Sequence, residues 1–396
     1  MESIKNRVAV VGMGCTQFGE LWDRDADSLV LEATDEALQD AGIALKDIQA
    51  AWVGTMLGMT GMVLSSALQS QYIPVTRIEN ACATGQDALR NACYAVAAKV
   101  FDIVLVVGVE KLKDEGYGGL PLGMSADGFH PVYGAHGTAP GRYALAATRY
   151  FHRYGLSREE GKTLLAKISV KSHHNGARNP KAHMRREVTL EQVIKAPIIA
   201  WPLGLFDCCG VTDGASAAIL CRPEDARRFR DDYMVFKGFG LSAGPGMGKS
   251  KTDYDYTHWE ETWRAATQAY AEAGIINPRK ELNMVECHDC FSIAELVAVE
   301  SMDICERGHA KADLDSGAWT QEGEIPVNLS GGLKSFGHPI GASGCREVYE
   351  IYKQIQGKAE EPSRQLKDVR LGLAHNQGGH PGRFICGVAI LGDSQE

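Results

Sequence analysis

The sequence lacks a long apolar run. Its apolar stretches at 104–109 and 386–391 are of strand length, whereas a helix that spans a bilayer needs roughly 20 apolar residues. Residues 1–7 lead directly into an apolar strand without a secretory signal. Residues 392–396 do not form a peroxisomal address. We therefore expect a cytoplasmic protein without a membrane segment.

An excess of positive charge is also lacking. The formal net charge is -9, which argues against general binding to nucleic acid or to an anionic membrane surface. The 11 cysteines have no regular spacing, and Cys93, Cys221 and Cys386 lie inside apolar runs. Reduced thiols fit this distribution better than a disulfide framework. A chain of 396 residues predicts two or three structural units at roughly 150 residues each.

Strand-like and helix-like segments alternate in both halves of the chain, which predicts an α/β fold with parallel or mixed sheets. Residues 32–43 resemble residues 264–275, and the glycines within them are 232 positions apart (274 − 42). Each half then passes through a glycine-rich turn into a helix, at 82–85 and at 338–344. This shared order indicates an internal duplication.

Between the halves lies a region of different character. It contains a glycine-rich stretch at 116–141 and a basic run at 167–186. Long insertions of this kind inside compact domains are usually functional. The predicted division of the chain is a first half of residues 1–112 with 203–232, an inserted loop domain of residues 113–202, and a second half of residues 233–396.

Cys82 directly precedes a predicted helix at 86–100. The positive end of a helix dipole stabilises a thiolate, so we expect the pKa of Cys82 to lie below its usual value of about 8.5. Backbone N–H groups at a helix N-terminus can also bind an oxyanion. A purely structural cysteine is the alternative, and the local context does not decide between the two.

Three later segments carry further reactive side chains. Cys287-His-Asp-Cys290 could be a fragment of a zinc site, but no second cluster with ligand spacing accompanies it, so we expect no metal. His338 lies in a glycine-rich segment that forces a tight turn around it, so an acid/base role is one interpretation. A histidine on an ordinary surface loop is the alternative. Residues 375–382 follow a predicted strand at 370–374, and turn chemistry explains their glycines as well as function does.

Together these segments resemble the thiolase superfamily over essentially the whole chain. The motifs occur in the family's order: Cys-x-Thr-Gly from Cys82, His-Asp-Cys-Phe from His288, Gly-His-Pro around His338, and a Gly-Gly turn at 378–379. The second motif is similar to that of the sterol-carrier-protein-type and archaeal-type members. The resemblance implies two duplicated halves with mixed five-stranded sheets, a five-layer α-β-α-β-α stack, and an inserted loop domain that binds CoA.

The resemblance also implies roles for individual residues. Cys82 would carry the acyl group and His338 would accept its proton, while His288 and His338 would stabilise an enolate. Backbone N–H groups would form the oxyanion hole at Cys82, Gly378 and Gly379.

Common thiolases place a second catalytic cysteine in the C-terminal turn, which here reads Asn376-Gln-Gly378. The resemblance assigns its proton-transfer role to Cys290.

The implied activity is that of an acyl-CoA C-acyltransferase, which cleaves a 3-oxoacyl-CoA with CoA or runs the reverse Claisen condensation. CoA is then a substrate, no cofactor is needed, and the protein is expected to be a homodimer. Some relatives pair with a small zinc-ribbon/OB-fold protein, so such a partner is also expected. Benzoylsuccinyl-CoA is a candidate substrate, because aromatic residues among the glycines of 117–133 could line a roomy acyl pocket.

The basic run could contact the phosphates of CoA. Its candidate members are Lys171, Arg178, Lys181, Arg185 and Arg186. A solvated basic face explains the same pattern equally well.

Three other functions compete with the thiolase interpretation. A dinucleotide-binding oxidoreductase is suggested by Gly12-x-Gly14, but the third glycine comes late for the fingerprint. A thiolase-fold retro-aldolase acting on a sterol side-chain CoA thioester would not need Cys82, Cys290 and His338. A subunit without catalysis, acting within a complex, would not need them either.

Overall fold

The computed structural model describes residues 3–58, 60–116, 138–251 and 253–394. Its strands are β1 (Ala9–Cys15), β2 (Ala50–Gly54), β3 (Val75–Ile78), β4 (Ile103–Lys111), β5 (Ile198–Ala200), β6 (Leu203–Gly204), β7 (Asp213–Cys221), β8 (Met234–Ala243), β9 (Met284–Cys287), β10 (Leu371–His380) and β11 (Arg383–Asp393). Its helices are α1 (Ala26–Ala41), α2 (Met62–Leu68), α3 (Thr84–Ala97), α4 (Ala139–Arg153), α5 (Arg158–Ala177), α6 (Leu190–Lys195), α7 (Pro223–Ala226), α8 (Met247–Ser250), α9 (Glu260–Ala273), α10 (Pro278–Glu281), α11 (Ser292–Ser301), α12 (Ala310–Ser316), α13 (Gly332–Ser335) and α14 (Ile340–Ile355).

The strand order repeats between the two halves, which confirms the duplication. Nine strands are hydrogen-bonded in the order β3-β2-β4-β7-β1-β8-β11-β10-β9. In the first half β1 pairs antiparallel with β7, β7 antiparallel with β4, and β4 parallel with β2. In the second half β8, β11, β10 and β9 pair in the same directions.

The fifth strand expected in the second half is reduced to one parallel bridge between Val285 and Val327. Two residue pairs of β1 and β8, Ala9–Val235 and Val10–Met234, join the halves.

Helices form three layers around these strands. α1 packs on the outer face of β1 and β7, α9 packs on β8 and β11, and α3 and α14 pack together between the two halves. Separate apolar clusters fill the spaces between successive layers. The predicted five-layer α/β architecture is therefore confirmed.

Glycines in the first strand of each half allow a helix to pack closely on it. A Cβ atom at Gly12 would lie 2.3 Å from the carbonyl oxygen of Ala37, and one at Gly240 would lie 1.8 Å from that of Ala265. Gly12-x-Gly14 thus lies within β1 against α1. This packing explains the motif without a dinucleotide.

The inserted region contributes to the core of the second half. Tyr143 and Tyr150 of α4 share one apolar cluster with Val285 and Ile293. We propose the division of the chain predicted above as its domain organisation. The stretch 117–133, predicted to line an acyl pocket, lies outside the described residues. Among the helices that are described, none combines the length and apolar character needed to cross a membrane.

Candidate active site

Cys82 lies in a tight turn between β3 and α3. Ala81, directly before it, has φ 49°, a left-handed conformation that costs a residue other than glycine energy. The Thr84 side chain stabilises the turn, since its hydroxyl donates to the carbonyl oxygen of Ala81 (2.5 Å) and accepts from the amide of Asn80 (2.8 Å). The turn holds the half-buried thiol at the N-terminal end of α3.

Three of the predicted side chains converge. The sulfur of Cys82 and one ring nitrogen each of His288 and His338 all lie within 4.8 Å of one another. The two imidazole rings are perpendicular, with centroids 5.0 Å apart.

They meet because α3 and α14 approach each other at glycines near their N-termini. A Cβ atom built on Gly85 would lie 2.5 Å from the carbonyl oxygen of Gly341.

The tautomer of His338 follows from its hydrogen bonds. The Ser343 hydroxyl donates to the carbonyl oxygen of Pro339 (2.9 Å), so it accepts from Nδ1 of His338 (2.7 Å). The proton is thereby fixed on Nδ1, and the buried Nε2 has no hydrogen-bond partner among the residues that the structure describes. Nε2 therefore carries the lone pair that a general base needs.

Burial keeps these imidazoles neutral. It lowers the pKa of His338 to about 3 and that of His375 to about 3. The pKa of His288 is also lowered well below its usual range, by burial first and then by His338, His375 and Arg346. A neutral ring can accept a proton at one nitrogen or donate its N–H at the other.

The expected lowering of the pKa of Cys82 is wrong for the resting protein. Burial, followed by the negative charges of Glu110 and Glu79, raises the pKa of the thiol to about 12. The helix dipole falls off within its first turn, and here it is outweighed by desolvation. Cys82 is thus a thiol until a base removes its proton.

The predicted oxyanion residues lie together. A Cβ atom built on Gly378 would lie 3.0 Å from the amide nitrogen of Cys82 and 2.5 Å from the carbonyl oxygen of Asn80. The segment differs from the prediction in one respect, since 375–380 continues strand β10 and is not a turn. Pairing of Gly378 with Ile385 and of Gly379 with Phe384 in β11 extends the strand, and the turn of this hairpin lies at 381–382.

Cys290 lies at the junction of β9 and α11, buried beside the site. Burial raises the pKa of its thiol well above the usual range. The Tyr143 side chain acts on the pKa of this thiol in the opposite direction, as a smaller influence than burial. The carbonyl oxygen of Cys290 accepts a hydrogen bond from the amide of Cys209 (2.9 Å). Tyr143 and Cys209 were not predicted from the sequence, because only the fold brings α4 and the segment before β7 to this junction.

A second pair that was not predicted lies beneath His288. The Asn376 amide donates to both carboxylate oxygens of Glu347 (2.9 and 3.0 Å), and its nitrogen lies 3.4 Å from Nδ1 of His288. Glu347 is fully buried, and desolvation raises its pKa well above the usual range. Asn376 occupies the position at which common thiolases carry their second cysteine, and that substitution was the available sequence signal.

The predicted CoA-binding cations divide into two groups. Lys171 pairs with Glu295 (2.9 Å) and Lys181 with Glu36 (2.6 Å), so both ammonium groups already have protein partners. The Arg178 guanidinium donates to the side chain of Gln321. The exposed Arg185 and Arg186 remain a prediction.

Cys82, His288 and His338 also offer the sulfur and nitrogen atoms that a zinc site uses. This grouping in space differs from the segment 287–290, which was considered for such a role on its sequence. The expectation of a metal-free site remains a prediction.

Comparisons with known proteins agree with this geometry. Residues 8–224 match the family described as thiolase, N-terminal domain, and residues 248–391 match thiolase C-terminal domain-like. An acetyl-CoA acetyltransferase of Methanothermobacter thermautotrophicus is 37% identical over 95% of this chain and 97% of its own. The benzoylsuccinyl-CoA thiolase subunit BbsB of Thauera aromatica is 32% identical over 95% of this chain and 96% of its own. A solved structure of an Ltp2-ChsH2(DUF35) aldolase superposes with a TM-score of 0.85 at 23% identity, covering 100% of both chains, which shows a shared fold.

Proposed function

Because this chain belongs to the thiolase family of acyltransferases, we propose that it cleaves a 3-oxoacyl-CoA with CoA, or runs the reverse condensation, through an acyl-Cys82 intermediate. The observation that carries the proposal is that the Cys82 sulfur and a ring nitrogen of His338 lie within 4.8 Å of each other. The unpartnered Nε2 of His338 is the base that the neutral thiol requires.

In the first half-reaction, His338 takes the proton of Cys82, and the thiolate attacks the 3-keto carbon. Backbone N–H groups of Cys82 and of the Gly378-Gly379 segment stabilise the tetrahedral oxyanion, and each such donor is typically worth about 2.7–4 kcal/mol of barrier. Collapse of this intermediate breaks the C–C bond and expels the enolate of an acyl-CoA.

In the second half-reaction, His288 and His338 stabilise the enolate oxygen while the Cys290 thiol protonates the α-carbon. The resulting Cys290 thiolate takes the proton of incoming CoA. The CoA thiolate then attacks acyl-Cys82 and releases the second acyl-CoA. The Cys82 thiolate recovers its proton from His338, so both side chains return to their resting state.

Acetoacetyl-CoA is the first substrate to test, given the 37% identical relative named an acetyl-CoA acetyltransferase. Benzoylsuccinyl-CoA is the second, given the 32% identical relative named for that compound. We expect CoA-dependent cleavage of at least one of them into two CoA thioesters, measured by liquid chromatography.

The same assay tests the retro-aldolase alternative, which the fold shared with the Ltp2-ChsH2(DUF35) aldolase brings forward. A retro-aldol cleavage yields an aldehyde or ketone and needs no free CoA. Cleavage of a sterol side-chain CoA thioester without added CoA, unchanged in Cys82→Ala, would therefore replace the thiolase proposal.

We also propose that the protein is a cytoplasmic homodimer. Strand β3 ends the sheet with one edge unpaired by described strands, and an open edge is a site for association. Close to it in sequence, Met62 and Tyr72 are 65% and 103% exposed.

A small zinc-ribbon/OB-fold partner is a further proposal. It is supported by the two components that the name of the Ltp2-ChsH2(DUF35) aldolase joins and by the naming of BbsB as a subunit. Four large apolar side chains at the end of the inserted region and just after it are about half exposed: Ile198, Ile199, Trp201 and Leu205. Exposed apolar clusters commonly mark interaction sites. Co-expression with a candidate partner should give a complex with bound zinc, and Trp201→Glu should separate its components.

A further inference from the structure

We propose that Asn376 is a positioning residue, which fixes His288 as a hydrogen-bond donor and is itself held in place by Glu347. The two imidazoles of the site then carry their protons on opposite nitrogens, so that one ring donates a hydrogen bond and the other accepts a proton. This inference deepens the proposed function and rests on it for the step that it serves, the stabilisation of the enolate oxygen.

Asn376 reaches the ring of His288 from strand β10. Both side chains are buried, and the amide nitrogen of Asn376 lies 3.4 Å from Nδ1 of His288. An amide nitrogen can donate a hydrogen bond but cannot accept one, so Nδ1 is the accepting nitrogen of the ring. Burial lowers the pKa of His288 well below its usual range. The ring is therefore neutral, and its single proton lies on Nε2.

Glu347 determines which way the amide points. The amide nitrogen of Asn376 lies 2.9 and 3.0 Å from the two carboxyl oxygens of Glu347, a fully buried residue of helix α14. In the reverse orientation the amide oxygen would face both of these oxygens. At most one carboxyl oxygen carries a proton, so at least one of the contacts would become repulsive. The amide nitrogen has two protons, and they serve the carboxyl group and Nδ1 of His288.

His338 has the opposite arrangement. Ser343 holds the proton of His338 on Nδ1 and leaves the lone pair on Nε2, whereas Asn376 leaves the proton of His288 on Nε2. The two rings are perpendicular, with centroids 5.0 Å apart. Before any substrate binds, the site thus presents a proton acceptor for the Cys82 thiol and a separate N–H donor for the enolate oxygen.

The bond from Asn376 becomes stronger as the enolate forms. Negative charge on the enolate oxygen pulls on the Nε2 proton of His288, which adds electron density to the ring and makes Nδ1 a better acceptor. Hydrogen bonds that are linked in this way strengthen one another in a buried site, and those of a resting active site are often long and tighten when substrate binds. His288 keeps its proton throughout, because Cys290 supplies the proton of the α-carbon.

The positions of the protons can be measured directly. In protein that carries isotope-labelled histidine, proton–nitrogen correlation spectra distinguish a protonated from an unprotonated ring nitrogen. A spectrum of His288→Gln identifies the signals of His288. We expect a neutral Nε2–H ring for His288 in the wild-type protein at neutral pH. In Asn376→Leu, which replaces the amide by an apolar group of similar size, we expect a mixture of the two neutral tautomers.

The same substitution should slow the chemistry of the enolate and spare acylation. Exchange of the α-protons of acetyl-CoA in D2O requires the enolate, whereas acetylation of Cys82 by acetyl-CoA, measured by the mass of the intact protein, does not. From the net worth of one neutral hydrogen bond, we expect exchange in Asn376→Leu to fall roughly 3- to 10-fold and acetylation to stay within about twofold of wild type.

Two substitutions at Glu347 test whether the carboxyl group holds the amide. Glu347→Leu removes the acceptor and frees the amide of Asn376 to turn over, so it should change the tautomer of His288 and slow exchange in the same direction. Glu347→Gln keeps one accepting oxygen and should stay closer to wild type in both measurements. These variants also carry the test if Asn376→Leu does not fold.

Gln354→Met is the matched control. Gln354 is a buried residue of the same helix, about two turns beyond Glu347, and its amide nitrogen donates to the carboxyl group of Glu350 (3.0 Å). The control removes a buried amide–carboxyl pair, as Asn376→Leu does. It should leave the tautomer of His288, exchange and acetylation unchanged.

An Nδ1–H ring for His288 in the wild-type protein would overturn the proposal, and so would a tautomer or an exchange rate that Asn376→Leu leaves unchanged. Equal losses of exchange and acetylation would also contradict it, because they would indicate general damage to the site. Absence of Cys82 acetylation in the wild-type protein is a different result. It counts against the proposed function itself, while the tautomer of His288 can still be measured.

Discussion

At the scale of single residues, burial decides the protonation state of the site. It raises the pKa of Cys82 to about 12 and lowers that of His338 to about 3. The resting pair is therefore a neutral thiol beside a neutral imidazole. Proton transfer between them has to be driven by the binding and attack of the substrate.

This resting state makes a prediction for pH dependence. Without substrate, the thiolate fraction of Cys82 should rise about tenfold per pH unit from pH 6 to 9.5, because the raised pKa lies above this whole range. Alkylation by iodoacetamide, located by peptide mass mapping, should follow that slope. A rate that levels off near pH 7 would indicate a thiolate–imidazolium pair instead.

Ser343 fixes the tautomer of His338, and its loss should weaken the base. In Ser343→Ala we expect the rate of Cys82 acylation to fall about tenfold, a part of the roughly 10²–10⁴ that general bases contribute. Rapid quenching followed by mass analysis measures this rate.

Ser216→Ala is a suitable control, since its buried hydroxyl donates to the carbonyl oxygen of Ala342 (2.7 Å) in the same helix. Acylation of Ser343→Ala at the wild-type rate would show that the tautomer is fixed by another group.

At the scale of elements, the site depends on the close approach of α3 and α14. A Cβ atom at Gly344 would lie 2.4 Å from the amide nitrogen of Gln86, and backbone atoms cannot move aside as a flexible side chain can. Gly344→Ala should therefore destabilise the protein by about 1–3 kcal/mol or more and slow acylation. Urea unfolding measures the first effect.

The control for this substitution is Gly19→Ala, where the nearest atom outside its chain neighbours would be 3.4 Å from the new Cβ. It should destabilise the protein much less than Gly344→Ala, because the new methyl group would meet the Leu21 side chain only at an ordinary van der Waals distance. Equal stability of the two variants would mean that the helix contact is not a constraint.

The helices and strands also show which parts of the structure could be predicted from the sequence alone. The helix predicted at 86–100 is observed as α3 at Thr84–Ala97, because the apolar residues that its buried face needs are spaced visibly in the local sequence. The strand character of 375–380 was missed, because the glycines of this segment were interpreted as a turn, whereas the hairpin turns at 381–382 and the glycines 378 and 379 pair with β11. The pKa of Cys82 was misjudged for a different reason, because desolvation in the folded chain, followed by the charge of Glu110 on β4, outweighs the helix dipole.

At the scale of the whole molecule, the order of the four motifs along the sequence was enough to predict the protein family. Contacts between segments that are distant in the sequence could not be predicted. Cys82 and His288 stand at strand–helix junctions and His338 stands directly before α14, where a sequence pattern can be recognised. Ser343 acts on His338 through a hydrogen bond that only the folded chain creates.

Dimerisation is the prediction at this scale. Light scattering after size exclusion should give twice the chain mass of 42.9 kDa. Tyr72→Glu, next to the edge strand β3, should shift the protein toward the monomer. Ile276→Glu alters a residue that is 94% exposed in the other half and should not. Equal effects of the two changes would place the interface elsewhere.

The most direct test of the whole account is the mass of the intact protein after a brief incubation with acetoacetyl-CoA or acetyl-CoA. We predict one added acetyl group on the wild-type chain and on Cys290→Ala, located by peptide mapping at Cys82, and none on Cys82→Ala. An acetyl adduct that persists in Cys82→Ala, or turnover of that variant at the wild-type rate, would contradict the assignment of Cys82 as the nucleophile.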